Sequence, residues 1–500
     1  MSIPGNAVAS RSFDDARELL HGLEVPAPAA PPPLSLTGSH LGPYPAMMPP
    51  PPLPAYVGRG GGSRLPPPNG GAAITEVAAA VARGSISARQ LLEQSLDALA
   101  GTGHLGAMVH LDAASLRREA DVLDTEAAAG QVRGPLHGVP VTVKDVIHVT
   151  GMPTRAGSAA YESLSPAEGT GVARLRAAGA LIMGKVATHE FALGVTTPQC
   201  RNPHDPEAIS GGSSGGSAIA VATGVGLASL GTDTRASLRV PAALCGVVGF
   251  KPTLGRVPID GIVPLSWTMD HLGPIARTVA DASAVLEVLA GPGGLGSGPG
   301  RTRSRPVVGV VPAILEEADG AVADAVDGAL GVLSGLGCPV SVVPGPGSED
   351  LDVANALGLL ISRSEAAAFH RSQGTDLDRC IPEVRDQLRA AQEITAVDYL
   401  EAQRQRSALA DRTLAALAGV DVLVTPTTPV PAPSRDDYED YLLVLSRNAI
   451  IWSLVGSPAL SLPCGAAGRL PIGVQLTAAP GAERLLARIG TMLEQALAAR

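Results

Sequence analysis

The segment Ser-Gly-Gly-Ser-Ser-Gly-Gly-Ser at residues 210–217 constrains the fold of this chain more than any other. Glycine loses much conformational entropy on folding, so four glycines this close together indicate either a flexible linker or a backbone in conformations that other residues disfavour. The apolar run Ala218–Ala222 follows at once, which argues against a linker. No Gly-Lys-Ser/Thr follows the glycines, which argues against a phosphate-binding loop. The segment matches the pattern G-x-S-x-G, but residues 201–206 before it resemble a loop and not the strand that a nucleophile elbow requires.

Ser213 in this segment and a second serine, Ser237, are predicted to lie close together. A helix of about ten residues after Ser213 advances about 15 Å, and Gly224 ends it. The strand Leu227–Leu230 and its flanking residues return a similar distance at about 3.3 Å per residue. Residues 231–236 then arrive near the start of the helix, where free backbone N–H groups suit the oxyanion of an acyl transfer.

Lys144 is the third residue of chemical interest, and it follows a predicted strand at residues 139–143. The odd-numbered residues of this strand are apolar and point one way, while Lys144 shares the other face with Thr142 and Pro140. The pattern fits a solvated lysine and a desolvated one equally well. Only burial, which disfavours the charged form, would lower the pKa of Lys144 enough for it to act as a base near neutral pH.

Strands and helices alternate along the chain from Ala73 onward. The patterns predict strands at 139–143, 180–183, 227–230, 306–311, 339–343 and 421–425. They predict helices at 74–99 with a break at 85–87, and at 171–178, 218–223, 321–336 and 395–418. Aromatic residues are only 2% of the chain while 45% is hydrophobic, so the core is built from Ala, Val and Leu. This alternation predicts an α/β fold with a sheet covered by helices on both faces.

Residues 1–72 differ from the rest of the chain. Ser12 is a candidate cap for a short helix over Phe13–Gly22, and the stretch from Pro26 to Pro68 is dominated by Pro, Gly and Ala. Proline at that density removes backbone donors and favours extended, solvated chain. We therefore predict a disordered N-terminal extension, with a docking segment for a partner as the alternative.

Charge and composition argue against several kinds of partner. The net charge is −10, and no basic run is interleaved with aromatic residues, so we expect no nucleic-acid partner. No apolar run reaches membrane-spanning length and no secretory signal opens the sequence, so we expect a soluble, cytoplasmic protein. The five cysteines are widely spaced and are expected to be reduced. The histidines show no metal-ligand spacing, so no metal is expected.

Several ordered stretches of this chain resemble the amidase signature family of serine hydrolases. Together they extend over roughly residues 73–500 in the order that the family shows. The stretches are GPLHGVPVTVKD (134–145), GMPTRAGS (151–158), RLRAAGALIMGK (174–185), EFALGVTT (190–197), RNPHDP (201–206), GGSSGGSA (211–218), GTDTRASLRVPAALCGVVGFKPT (231–253) and MDHLGPIARTVADA (269–282), with weaker matches at 422–433, 455–465 and 470–476.

The resemblance implies one large domain over residues 73–500, built on a central mixed sheet, and a Ser–cisSer–Lys triad. Ser237 falls on the nucleophile, Ser213 on the bridging serine after a cis peptide, and Lys144 on the base. The backbone N–H groups of residues 234–237, that is Thr234, Arg235, Ala236 and Ser237, fall on the oxyanion hole. The implied reaction is hydrolysis of an amide through an acyl-enzyme, with a small-molecule amide as ligand and no cofactor.

The chain departs from the family pattern at two places. Arg235-Ala236 stands where the family usually has Gly-Gly, and GKVATHEF (184–191) leaves the substrate contacts near Thr188 and His189 open. Arg235 is a candidate substrate-binding residue. Near the site it would favour neutral Lys144 or bind a substrate carboxylate. At positive φ its backbone would be strained. The alternative is that Arg235 points away and forms a surface salt bridge.

The remaining polar residues near Ser237 are expected to have structural roles. Asp233 and Arg239 are predicted to form a charge pair that holds the loop, and Cys245 is predicted to pack in the core. If Lys144 is the base, His271 and His370 have no role in a triad.

Three functions fit the sequence. The first is a stand-alone amidase. The second is the glutaminase subunit of a tRNA-dependent amidotransferase. The residues Asp270-His271 argue against it, because that subunit usually has Asp-Gln there. The third is a non-catalytic relative with a proline-rich docking arm. A homodimer, and a partner for the proline-rich segment, stay open.

Deletion of residues 1–72 should leave the fold and the turnover of small amides intact, because a segment rich in Pro, Gly and Ala has little to pack into a core. The measurements are solubility, melting temperature and amide turnover of the truncated protein beside the full chain. Insoluble protein, or a melting temperature lower by many degrees, would show that the segment is structural.

Overall fold

The computed structural model describes residues 72–295 and 303–499. The helix predicted over Phe13–Gly22 and all but the last residue of the 1–72 extension lie outside the described residues.

A single mixed sheet runs through the described part of the chain. Its eleven strands follow the order β1-β3-β2-β4-β6-β5-β10-β11-β9-β7-β8. Parallel pairing joins β2 to β3 and β4, and β7 to β8 and β9, and the remaining neighbours are antiparallel. The strands are β1 (Met108–His110), β2 (Pro140–Lys144), β3 (Leu181–Val186), β4 (Ala228–Asp233), β5 (Val248–Lys251), β6 (His271–Ala276), β7 (Val308–Val310), β8 (Val340–Val342), β9 (Val422–Pro426), β10 (Ala459–Ala467) and β11 (Leu470–Thr477).

Every residue of β2 to β6 is buried. Successive side chains of a strand point to opposite faces of the sheet, so both faces of these central strands are covered. This confirms the predicted α/β class. The helices of the described residues are α1 (Ile74–Ala82), α2 (Ala88–Thr102), α3 (Ala113–Ala128), α4 (Thr170–Ala177), α5 (Gly215–Thr223), α6 (Arg239–Cys245), α7 (Val279–Ala290), α8 (Pro312–Glu316), α9 (Gly320–Gly335), α10 (Ser348–Ser372), α11 (Pro382–Ala391), α12 (Ala396–Ala416), α13 (Arg447–Leu454) and α14 (Glu483–Ala498).

Local signals placed many of these elements correctly. The predicted break at 85–87 separates α1 from α2, and the Ser87 side chain accepts a hydrogen bond from the Gln90 N–H at the start of α2. The helix predicted at 395–418 corresponds to α12, which Thr395 caps by accepting a hydrogen bond from the Asp398 N–H. The predictions did not include the helices α3, α6, α7, α8, α10, α11, α13 and α14, or the strands β1, β5, β6, β10 and β11.

The central strands fix where the chemically interesting residues lie. β2 and β4 are parallel neighbours, with Val141 opposite Ala228 and Val143 opposite Leu230. Their carboxyl ends, Lys144 and Asp233, therefore meet at the same edge of the sheet. α5 precedes β4 in the chain and begins at this same edge. The Ser214 hydroxyl, just before α5, donates a hydrogen bond to the Thr232 carbonyl oxygen at 3.1 Å. No helix among the described residues combines the length and apolar character needed to span a bilayer.

Candidate active site

Lys144 is fully buried at the end of β2 and makes its hydrogen bonds to hydroxyl groups. Its Nζ donates to Ser213 Oγ at 2.7 Å and to Thr232 Oγ1 at 2.7 Å. Burial lowers the pKa of Lys144 to about 7, and the charges of Asp270 and Asp233 oppose that shift. The predicted alternative of a solvated strand lysine is wrong. The amine is desolvated, and a large fraction of it is uncharged near pH 7.

The glycine-rich segment before α5 is buried, so it is not a linker. Gly211 has φ +72°, and a Cβ at Gly212 would lie 1.8 Å from the Thr196 carbonyl oxygen, so a side chain at position 212 would require the backbone to move. The peptide bond between Gly212 and Ser213 is cis, as the resemblance implied. Glycine thus allows the backbone to turn at this point and to present Ser213 Oγ to Lys144.

The loop of residues 234–237 follows β4 and leaves four consecutive backbone N–H groups free. Among the described residues, none of these N–H groups donates a hydrogen bond, whereas the next one, of Leu238, donates to Asp233 Oδ2 at 3.1 Å. Buried backbone N–H groups are nearly always paired in folded proteins. An unpaired run of this kind is suited to an oxyanion that is present only during reaction.

Ser237 ends this loop with a side chain that is 4% exposed. Its hydroxyl has no hydrogen-bond partner among the described residues. The Ser214–Thr232 bond at the base of the loop and the Lys144 bonds to Ser213 and Thr232 place the start of α5 and the end of β4 side by side. The predicted convergence of the 210–217 segment and the end of β4 is confirmed.

Asp270 fixes the first residue of the loop. Thr234 Oγ1 donates to Asp270 Oδ1 at 2.5 Å, and the backbone N–H groups of Leu265 and Ser266 donate to Asp270 Oδ2 at 3.0 and 3.1 Å. Burial raises the pKa of Asp270 to about 6, against the opposing effect of these hydrogen bonds and of Lys144. Asp270 therefore holds the loop through Thr234, and its charge opposes the lowering of the Lys144 pKa.

Asp233 and Arg239 form the predicted charge pair, and both side chains are fully buried. Arg239 Nε donates to Asp233 Oδ2 at 2.9 Å, and its Nη2 donates to Asp233 Oδ1 at 3.0 Å. The same Nη2 donates to the Arg235 carbonyl oxygen at 3.1 Å. The pair therefore holds the backbone of the loop from behind.

The surface alternative for Arg235 is wrong, because its side chain is buried and forms no ion pair among the described residues. Its φ is not positive either, so the expected backbone strain is absent. The expected effect on Lys144 is also missing, since the charges that act on the pKa of Lys144 are those of Asp270 and Asp233. Arg235 instead reaches α10, where its Nη2 donates to Asn355 Oδ1 at 2.6 Å.

Thr188 and His189, whose contacts the sequence left open, lie behind the glycine-rich segment. Both are fully buried, and the His189 N–H donates to the Ser213 carbonyl oxygen at 3.2 Å. His271 and Cys245 are buried away from the Lys144 hydrogen bonds: His271 Nε2 lies 3.2 Å from Lys251 Nζ, and the Cys245 thiol donates to the Ser210 carbonyl oxygen. Burial raises the pKa of the Cys245 thiol, which makes it inert.

Sequence reasoning missed Thr232 and Asp270 as members of the site. Thr232 had a usable signal, because it is the penultimate residue of a strand that runs parallel to the strand of Lys144. Asp270 had no local signal, since its partner Thr234 lies 36 residues earlier in the chain.

Comparisons with known proteins find similarity over most of the chain. A family model described as Amidase matches residues 90–487. The chain is 35% identical to a 1-carboxybiuret hydrolase subunit of Pseudomonas sp. (strain ADP), over 85% of this chain and 98% of that protein. It is 36% identical to one subunit of the glutamyl-tRNA(Gln) amidotransferase of Anaeromyxobacter sp. (strain K), over 85% of this chain and 96% of that protein. A crystal structure of an amidase, 39% identical, superposes with a TM-score of 0.78 over 85% of this chain and 99% of the other.

Replacing Asp233 by Ala should lower the free energy of unfolding by about 3–5 kcal/mol, because it leaves the buried Arg239 charge without its partner. Burial raises the pKa of Asp233, but the charge and hydrogen bonds of Arg239 outweigh burial and lower it to about 2. The loss should therefore be full at neutral pH and should shrink as pH falls below about 4, the ordinary pKa of an aspartate, towards the native value of about 2. Urea unfolding at several pH values measures it.

The matched control is Glu401→Ala, which breaks the exposed pair between Arg404 Nη1 and Glu401 Oε2 on α12. That variant should change the free energy of unfolding by less than about 1 kcal/mol. Equal effects of the two variants would contradict a structural role for the buried pair.

Proposed function

This chain belongs to the amidase signature family, and from that premise we propose that it hydrolyses the amide bond of a small carboxylic acid amide through Ser237, Ser213 and Lys144. The observation that carries the proposal is the hydrogen bond from a desolvated lysine amine to Ser213 Oγ. Relatives that cleave carbon–nitrogen bonds support hydrolysis, and the residues and the substrate are our own assignment.

In the proposed first half-reaction Ser237 Oγ attacks the amide carbonyl carbon. Its proton passes to Ser213 Oγ while the Ser213 proton passes to Lys144 Nζ, which is neutral above about pH 7. The carbonyl oxygen becomes an oxyanion and accepts hydrogen bonds from the free N–H groups of residues 234–237. The tetrahedral species then breaks its carbon–nitrogen bond, and Lys144 returns the proton through Ser213 to the leaving amine or ammonia.

In the second half-reaction a water molecule attacks the acyl-enzyme. Lys144 again accepts a proton through Ser213, the oxyanion forms at the same N–H groups, and the ester bond to Ser237 breaks. Ser237 Oγ regains its proton and the carboxylic acid leaves. Thr232 positions the amine throughout, because it shares Lys144 Nζ with Ser213. We expect no cofactor in either half.

The second candidate is the glutaminase subunit of an amidotransferase, which the similarity to glutamyl-tRNA(Gln) amidotransferase proteins favours. Purification of this chain without other subunits, followed by a panel of aryl, alkyl and amino-acid amides, separates the two. Release of acids from simple amides, measured by mass spectrometry, supports the stand-alone amidase. Hydrolysis of glutamine and of no other amide, seen only when partner subunits are present, supports the amidotransferase. A non-catalytic relative would resist labelling of Ser237 by a fluorophosphonate.

Ser237→Ala and Lys144→Ala should each remove nearly all turnover, and the double variant should be no worse, because residues that act as one unit lose activity non-additively. Ser213→Ala should be severe as well. The measurement is kcat on the best amide of the panel, with circular dichroism as the control for folding. More than about a tenth of the wild-type kcat in Ser237→Ala would end the proposed mechanism.

The kcat/KM of the wild-type protein should fall as pH decreases through about 7. Burial lowers the pKa of Lys144 to that value, so the amine is neutral above it and protonated, hence unable to accept a proton, below it. The expected slope is about tenfold per pH unit on the acidic side. Initial rates between about pH 5 and 9 test this, with circular dichroism at each pH as the control. If the fall of kcat/KM on the acidic side of the profile is centred near pH 10 instead, Lys144 is solvated in the functional protein.

A further inference from the structure

Arg235 is a buried cation without a carboxylate partner. Its side chain is 5% exposed, and no salt bridge joins it to any acidic group among the described residues. Two other buried arginines in the described part of the chain are paired with carboxylates: Arg239 binds Asp233, and Arg447 binds Asp352 and Glu317. A buried charge is costly unless it is paired and hydrogen-bonded. Arg235 therefore lacks an anion where its neighbours have one.

The groups that do contact Arg235 are neutral. Nη2 donates to Asn355 Oδ1 at 2.6 Å and to Ser446 Oγ at 3.2 Å. Both bonds come from the same nitrogen, although a guanidinium carries five N–H donors. Nε is buried with no hydrogen-bond partner, and Nη1 has none among the described residues. The Asn355 amide and the Ser446 hydroxyl therefore hold the guanidinium in place without cancelling its charge, and three donors stay free.

A second arginine adds positive charge to the same region. Arg363 is 5% exposed and lies two helical turns after Asn355 on α10. Burial lowers the pKa of Arg235 well below its usual value, and the charge of Arg363 lowers it further. Since guanidinium groups keep their proton in proteins, these effects raise the free energy of the empty site. A bound anion relieves both.

The unpaired guanidinium belongs to the loop that carries Ser237. Arg235 precedes Ser237 by two residues, and its own N–H is one of the four free groups of that loop. The Arg239 bond to the Arg235 carbonyl oxygen fixes the backbone from which the side chain departs. Arg363 is anchored at the opposite side by its Nη2 bond to the Leu193 carbonyl oxygen, close to the segment that supports Ser213.

We propose that Arg235 binds a carboxylate in the acyl part of the substrate, so that this enzyme prefers the monoamides of dicarboxylic acids over neutral amides. A carboxylate is a strong acceptor for a guanidinium, and its oxygens can accept from the free Nη1 donors while Nη2 stays bound to Asn355 and Ser446. The inference rests on the proposed amide hydrolysis and specifies the substrate class for the same site.

The turnover test compares monoamides of the dicarboxylic acids from malonic to adipic acid with alkyl amides of the same chain length. Wild-type protein should prefer at least one anionic amide over its neutral match by about tenfold or more in kcat/KM. Arg235→Gln should reduce that ratio by about tenfold or more, and Arg235→Lys should retain part of it, because it keeps the charge and loses the fork. Arg404→Gln, the same change on the exposed face of α12, should leave the ratio unchanged.

Asn355→Asp is the sharper variant, because it keeps Arg235 and gives it an internal carboxylate. The new carboxylate should compete with the substrate, so the preference for anionic amides should fall as it does in Arg235→Gln, while the melting temperature should rise. A structural role for Arg235 predicts the rise in melting temperature and no change in the substrate ratio. An unchanged ratio in both Arg235→Gln and Asn355→Asp overturns the proposal.

A binding test separates this inference from the proposed function. Isothermal titration of Ser237→Ala protein with the same dicarboxylic acids needs no turnover. A dicarboxylate that binds the Ser237→Ala protein but not the Ser237→Ala, Arg235→Gln double variant supports the carboxylate site. If that result comes without hydrolysis of any amide, only the proposed function fails. Hydrolysis of neutral and anionic amides with equal kcat/KM leaves the function standing and overturns the inference. Failure of every dicarboxylate to bind Ser237→Ala protein overturns it too.

Discussion

The burial of Lys144 among hydroxyl groups is the interaction on which the site depends. A second buried lysine, Lys185, lies on the adjacent strand β3 and donates to Asp145 Oδ1 at 2.8 Å. Burial lowers the pKa of Lys185, and the charge and hydrogen bond of Asp145 oppose that shift and favour the ammonium form. Lys144 has Ser213 and Thr232 at similar distances, and these groups accept hydrogen bonds without supplying charge. Two lysines in neighbouring parallel strands thus differ in chemistry because their partners differ in charge.

The same distinction separates the two arginines that flank Ser237. Arg239 is neutralised by Asp233 and stabilises the fold, because breaking such a pair leaves an isolated buried charge. Arg235 is held by an amide and a hydroxyl, so its charge stays available to a ligand. Around this loop, buried ions with carboxylate partners are structural, and buried ions with neutral partners are the candidates for chemistry or binding.

The sequence predicted the meeting of the 210–217 segment with the carboxyl ends of the central strands better than it predicted the surroundings of Arg235. Lys144 ends a strand, and Ser213 and Ser237 lie beside a short helix and in a loop within about a hundred residues of it, so parallel strand pairing alone brings these segments to one edge. The environment of Arg235 was predicted wrongly because its partners, Asn355 and Ser446, are 120 and 211 residues away in the chain. A surface salt bridge was the natural expectation for an arginine in a loop, but the nearby Asp233 is occupied by Arg239. Local patterns do not reveal such competition between partners.

One helix that the sequence patterns did not predict, α10, supports two adjacent residues of the 234–237 loop, Thr234 and Arg235. Asn355 near its start holds Arg235, and Glu365 near its end accepts hydrogen bonds from Ser266 Oγ at 2.8 Å and Thr268 Oγ1 at 2.7 Å. The segment from Ser266 to Asp270 in turn holds Thr234. The loop of residues 234–237 is therefore held by Arg239 and, separately, by groups that α10 supports. Substitutions on α10 can alter what the loop binds while Lys144 and Ser213, carried by β2 and the start of α5, keep their geometry.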